Sequence, residues 1–188
     1  MKAIVYCGGA FNTPSGKTAH GLVRFTERYE VLSVIDPTLA GMDARNVLDG
    51  MLTGIPIVND LQEAMVIAAK KGGADVMVIG LAPDGGRLPD DAREVVKEAV
   101  QLGLDIDSGL HDFLSDDPVI AALATEKKVR IRDIRKPPER KDLHFFSGKI
   151  EEVDCLKLAV LGTDSAIGKR TTAWIMVHGL RKAGYKAE

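Results

Sequence analysis

Residues 156–181 read LKLAVLGTDSAIGKRTTAWIMVHGLR, and three textures follow one another within them. The apolar run 156–161 has the length and composition of a buried strand. Gly162 breaks that run into a loop of small residues. A helix follows, with Ala173, Ile175, Met176, Val177 and Leu180 as its apolar positions. Strand, glycine loop and helix make a phosphate-cradling geometry. Loop N–H groups and the positive end of the helix point at the anion, and Lys169 adds a full charge. The match to G-x-x-x-x-G-K-[ST] is offset. Counted back from Gly168, the leading glycine belongs at 163, where Thr163 stands beside Gly162. Arg170 takes the place of the hydroxyl that would hold Mg²⁺, and Thr171 comes one position later. The expected cradle is therefore Gly162, Thr163, Asp164, Ser165, Gly168, Lys169, Arg170 and Thr171. The plain alternative is an ordinary strand-to-helix turn. As a phosphate site the stretch keeps its donors and displaces its metal ligand, so no metal ligand is assigned, a role for Mg²⁺ stays open and an ATPase is disfavoured.

On the N-terminal side of this stretch, residues 137–154 read as a linker, opened by Pro137-Pro138 and rich in charge. Residues 1–136 read as one domain of alternating strands and helices, and residues 155–188 as the start of a second. Expected strands are 3–7, 31–35, 55–58, 74–81, 104–106 and 129–134. Expected helices are 17–28, the run after Asn59-Asp60 that Gly72-Gly73 ends, 91–102 and 118–127. Asn59 or Asp60 is a good N-cap, and Pro118 suits a first helical position. Residues 36–54 read as irregular. Short apolar strands alternating with helices argue for an α/β fold with a parallel, doubly wound sheet.

Right-handed crossovers place the carboxyl end of every parallel strand on one edge, where ligands bind in such folds. Glycines, carboxylates, a histidine and arginines collect there. His111, of the residue type suited to proton transfer at neutral pH, is the candidate acid–base group, with Asp112 beside it in sequence and Asp107 as a second catalytic candidate. The alternative for His111 is a helix cap. Gly85, Gly86 and Arg87 form a loop whose arginine could pair a carboxylate at two points, and Arg135 could do the same. Ser108 joins them. Asp36 ends the second strand, where either a ribose-binding acid or a loop cap is expected. Lys17 and Thr18, in GKTAHG, resemble a second phosphate loop, although Phe11 replaces the leading glycine and Pro14 removes a donor.

The composition excludes several classes. A formal net charge of -2 and 5% aromatic residues argue against nucleic acid and acidic membranes as partners. Two cysteines in different expected strands, and four histidines without ligand spacing, suit a reducing cytoplasm with neither a disulfide framework nor a metal site. A small-molecule substrate is the expected partner, bound by a homo-oligomer.

The strings GKTAHGL, DPTLAG, GLAPDGGRLPDD, GLDIDSGLHDFLSDDP, RDIRKPP and LGTDSAIGKRTTA, in that order, resemble the D-glutamate N-acetyltransferase-like family. That resemblance implies a Rossmann-like domain followed by a P-loop domain. It also implies acetyl transfer from acetyl-CoA to the amine of D-glutamate by the complete protein, a step of D-amino acid metabolism. GTDSAIGK also looks like the opening loop of dethiobiotin synthetase, which makes an ATP-dependent enzyme the alternative and a non-catalytic nucleotide-binding module a third reading. A P-loop domain needs more strands than residues 155–188 supply, so the chain reads as truncated, carrying only the first strand, loop and helix of that domain.

Overall fold

The computed structural model describes residues 1–164 and 167–188. The chain divides into two compact units, Met1–Pro138 and Glu139–Glu188. The first is built on six strands: β1 (Lys2–Tyr6), β2 (Glu30–Ile35), β3 (Ile57–Val58), β4 (Val76–Ile79), β5 (Asp105–Ser108) and β6 (Ile131–Asp133). They pair in the order β3-β2-β1-β4-β5-β6, every pair parallel. The helices between them are α1 (Lys17–Phe25), α2 (Ala44–Asp49), α3 (Leu61–Lys70), α4 (Asp90–Gln101) and α5 (Pro118–Lys127).

Both faces of the sheet carry packing, which is why the central strands β1 and β4 are buried along nearly their whole length. On one face Ile4, Leu32, Met77, Ile79 and Ile106 meet Ala64 of α3, Val96 of α4 and Ile120 of α5. On the other, Val5, Cys7, Val34 and Ile57 meet Ala19 and Val23 of α1 and Ala44 of α2. Gly80, just past β4, fits that second face. A Cβ there would stand 2.7 Å from Val5 Cγ1 and 2.9 Å from Ala19 Cβ, so only glycine lets α1 lie this close.

The edge pair β5–β6 solves the second face differently. Ile106 enters the first core, and its strand neighbours Asp105 and Asp107 point the opposite way. There Arg130 pairs with Asp105 at 3.2 Å, and Arg132 Nε donates to Asp107 Oδ1 at 2.7 Å. The Tyr29 hydroxyl donates to Asp107 Oδ2 and accepts from Arg132 Nη2 at 2.7 Å. Burial and the hydrogen bond to Asp107 push the Tyr29 phenol up. The DIDS and RIRD strings thus alternate, with one apolar face and one cross-strand ladder of charge.

Three expectations change. β5 runs through Asp107 and Ser108, so these are strand residues and not part of the loop after it. Residues 44–49, read as irregular, form α2. Asp43 accepts from Arg45 N and Asn46 N at its start, and Gly50, in the left-handed region, ends it. Residues 156–161 form no strand. A strand needs a neighbour for its backbone groups, and Leu156, Leu158 and Leu161 are exposed. The second unit contains α6 (Lys169–Lys182), none of whose residues is buried.

Candidate functional site

The carboxyl edge of the first unit is stitched together loop by loop. Gly80 N donates to Tyr6 O and Ala82 N to Ser15 O, joining the β1 and β4 loops. His111 N and Asp112 N both donate to Gly86 O, at 3.0 and 3.2 Å, joining the β4 and β5 loops. Ile134 N donates to Ser108 O at 2.8 Å, and Asp133 accepts from Leu114 N and Ser115 N at 3.0 and 2.9 Å. These bonds bring the β6 end against the β5 loop.

Between the β4 and β5 loops lies a cavity of about 620 Å³, lined by Gly85, Arg87, Arg93 and His111 together with Asp112, Phe113, Asp116 and Asp117. Gly86 fixes its shape. The backbone there is left-handed at φ 65°, and a Cβ would stand 2.6 Å from His111 Cδ2. The imidazole therefore rests where any other residue would put its side chain. Arg135 Nη1 lies 3.4 Å from His111 Nε2. An arginine has only donors, so Nε2 meets it as the lone-pair nitrogen. Among the described residues the Arg87 side chain has no hydrogen bond or ion pair, and it is exposed beside His111 on the cavity wall. Arg93 Nη1 donates to Asp117 Oδ2 at 3.0 Å and its Nη2 donates to Asp112 Oδ2. Lys136 Nζ donates to Ser115 Oγ at 2.8 Å and also to Asp116. Among the described residues the wall thus offers one unpaired arginine and a histidine lone pair, and a further arginine, Arg135, meets that histidine. That arrangement can hold carboxylates and accept a proton.

Gly85, Gly86, Arg87, His111 and Arg135 are therefore together, as the sequence suggests. Asp107 is a correction: it is 1% exposed, faces away from the first core and is held by Arg132 and Tyr29. Ser108 is fully buried, and its Oγ accepts from Leu110 N at 3.3 Å in a local turn. Asp36 is a loop cap. Its carboxylate accepts from Phe11 N at 2.7 Å, Thr38 N at 3.0 Å and Thr38 Oγ1 at 2.6 Å, and no part of it is exposed. Lys17 and Thr18 do not open a phosphate cradle. The N–H groups of Phe11, Thr13, Ser15 and Gly16 all bond within the loop or to Asp36, Lys17 N donates to Pro14 O, and Ala19 N donates to Gly80 O.

Sequence reasoning missed Arg93, Phe113, Asp116, Asp117 and Lys136. One signal was present. Arg93 is a cation in the first turn of a helix, against the dipole.

In the second unit α6 starts at Lys169, after Gly168 at φ 86°, with no side-chain cap at its N-terminus. Lys169 Nζ donates to Asp164 O. A Cβ at Gly162 would collide with the Ile167 side chain, which lies against that glycine. Arg170 and Thr171 are exposed in the first turn of α6, and Thr163 is exposed before it. Ser165 lies outside the described residues. Among the described residues no helix is long and apolar enough to cross a membrane, and no group of three His, Cys, Asp or Glu could hold a metal ion.

The domain family described as a Rossmann-like domain of unknown function, DUF1611_N, matches residues 37–137, and its P-loop counterpart, DUF1611_C, matches residues 144–188. A curated D-glutamate N-acetyltransferase from Tritonibacter scottomollicae is 33% identical over 127 residues, 68% of this chain and 37% of that protein. Another from a Pseudoalteromonas species is 30% identical over 122 residues, 65% of this chain and 36% of that protein. The chain thus spans little more than a third of the length of either relative. The crystal structure of a DUF1611 family protein from Anabaena variabilis superposes with a TM-score of 0.86 at 30% identity, over all of this chain and 52% of that one. An amine dehydrogenase from Mycobacterium smegmatis, at TM-score 0.50 and 20% identity over 70% of this chain and 38% of its own, shares the fold alone.

Proposed function

This chain belongs to the DUF1611 family, a Rossmann-like domain followed by a P-loop domain, and from that premise we propose that it is part of an acetyl-CoA-dependent N-acetyltransferase acting on an acidic D-amino acid. The observation that carries the reading is the pairing of Arg87 and His111 on one cavity wall, with Arg135 against the His111 ring. The names of the two curated relatives supply the reaction class.

In this reading Arg87 and Arg135 hold the carboxylates of the amino acid through the guanidinium fork. A carboxylate that draws Arg135 away releases the His111 Nε2 lone pair, which already lies 3.4 Å from that arginine. His111 then takes a proton from the substrate amine, whose nitrogen becomes the nucleophile. Coenzyme A, when bound, supplies the acyl group as a thioester. Its phosphates suit the second unit, where α6 opens without a side-chain cap and offers first-turn N–H groups beside Lys169 and Arg170. Arg170 stands at the hydroxyl position of the phosphate-loop pattern, which fits cradling without nucleotide hydrolysis. A cytoplasmic location and assembly as a homo-oligomer are part of the same proposal.

The test is release of free coenzyme A thiol by the full-length protein, dependent on D-glutamate and measured with and without Mg²⁺. Transfer that is indifferent to Mg²⁺, and that falls by two orders of magnitude in His111→Gln, is expected. Mg²⁺-dependent ATP turnover without transfer would instead favour the carboxylate-activating alternative.

A further inference from the structure

Arg93 lies in the first turn of α4, and its side chain is only 24% exposed. Both arms of its guanidinium are occupied by carboxylates, Asp112 on one and Asp117 on the other. Each carboxylate has a second task. Asp112 follows His111 in the chain and accepts from Leu88 N at 3.2 Å, tying the β5 loop to the segment just past Arg87. Asp117 caps α5, its Oδ1 accepting from Val119 N at 2.9 Å and Ile120 N at 3.1 Å. One planar fork therefore joins α4 to both ends of the segment that follows His111.

His111 has few holds of its own. Its side chain is exposed, touches Arg135 at 3.4 Å and rests against the backbone of Gly86. Its peptide N–H and that of Asp112 share a single acceptor, Gly86 O. The Asp112 side chain adds two further restraints on this stretch, the bond from Leu88 N and the pair with Arg93. Without Arg93, two carboxylates would face each other in a half-buried setting with no cation between them. A lysine could not restore both contacts, because an ammonium is a point charge and not a fork.

We propose that Arg93 is a positioning residue for His111: it holds the β5 loop against α4 and so aims the imidazole into the cavity, without touching the substrate. The inference rests on His111 being the proton acceptor of the proposed reaction. It separates Arg93 from Arg87, whose guanidinium is free for a carboxylate.

The experiment uses the full-length protein as wild type, Arg93→Gln, Arg93→Lys and His111→Gln, with Asp43→Ala as a variant that alters stability away from the cavity. Acetyl transfer to D-glutamate gives kcat and KM, and the His111 Cε1–H resonance in a carbon–proton spectrum gives the state of the ring. Arg93→Gln is expected to lower kcat by about 30- to 100-fold, the cost of a misplacement near 1 Å. KM should stay within about threefold, because Arg87 and Arg135 are untouched. The His111 resonance should broaden or split. Arg93→Lys should fall between wild type and Arg93→Gln, and Asp43→Ala should keep kcat within about threefold below its unfolding transition. An Arg93→Gln protein with unchanged kcat and an unchanged His111 resonance would overturn the inference. A tenfold rise in KM at constant kcat would also overturn it, by placing Arg93 on the substrate. If Arg93→Gln does not fold, Arg93→Lys is read in its place: a tenfold fall in kcat supports the inference and less than threefold overturns it. Full activity in His111→Gln would remove the proton-acceptor reading and this inference with it. An inactive His111→Gln beside an active Arg93→Gln would remove only this inference. Should wild type transfer no acetyl group, the resonance alone decides whether Arg93 holds the ring.

Discussion

Replacing Gly86 by alanine isolates the contact on which the cavity wall is built. The new Cβ would stand 2.6 Å from His111 Cδ2 and 3.2 Å from its Cβ and Cγ, so the ring or its loop must withdraw by about 0.8 Å to reach ordinary van der Waals separation. The left-handed backbone at φ 65° adds a penalty of about 1 kcal/mol, partly offset because alanine restricts the unfolded chain. The stability cost should therefore be modest, about 1 kcal/mol in urea unfolding. The functional cost should be large, on the order of a hundredfold in kcat, since that is what an ångström-scale misplacement of a reacting group costs. Gly85→Ala supplies the comparison. It has φ 74° and open space where its Cβ would go, so it shares the backbone strain without the push on the ring. The two variants should unfold at similar urea concentrations, and Gly86→Ala should lose at least ten times more kcat. Equal losses in both, or full activity in Gly86→Ala, would refute the claim that the ring position matters.

Asp107→Asn should destabilise the first unit by about 3 kcal/mol, the lower end of the range for breaking a buried pair, because Arg132 and Tyr29 lose their charged partner. Its kcat below the unfolding transition should stay within threefold, which thermal unfolding and the transfer assay check together. Asp43 accepts from five backbone N–H groups, those of Arg45, Asn46, Thr53, Gly54 and Ile55. Asp43→Ala should cost about 2 kcal/mol. Burial pushes the Asp43 carboxyl up, but the backbone donors outweigh it and hold the group below the usual aspartate range. Its stabilisation is thus complete above about pH 4, the unfolded value, and should drain away as the pH falls below it. Acid unfolding of wild type and Asp43→Ala should converge there. Lys169→Ala in the full-length protein should weaken coenzyme A binding by about 1.5–3 kcal/mol, read by calorimetry, with the first unit's stability unchanged.

Period and punctuation made the sheet legible. Buried runs such as VMVI, the helix start at Asp60, and Pro118 at a first helical position all act within a few residues. What remained hidden depends on which way a strand points. Asp107 reads as an edge acid until β5 is seen to run two residues beyond its apolar stretch, which turns its side chain toward Arg132. Arg132 and Tyr29, 103 residues apart in the chain, give no local sign of meeting. The same applies to Arg93, whose partners lie 19 and 24 residues away. By contrast, Gly85, Gly86, Arg87, His111 and Arg135 were legible together, because parallel connectivity sends the ends of β4, β5 and β6 to one edge. The phosphate-loop stretch was legible as loop and helix but not as strand, since 156–161 needs neighbours that the local sequence does not specify.

The most direct measurement is calorimetric titration of the full-length protein with D-glutamate, as wild type and as Arg87→Gln. The Arg87 guanidinium is exposed on the cavity wall and, among the described residues, unpaired. Its bond to a carboxylate should contribute about 1.5–3 kcal/mol, so Arg87→Gln should bind D-glutamate roughly ten- to a hundredfold more weakly, with its fold intact. A wild type that does not bind D-glutamate, or an Arg87→Gln protein with unchanged affinity, would contradict an acidic amino acid at this cavity.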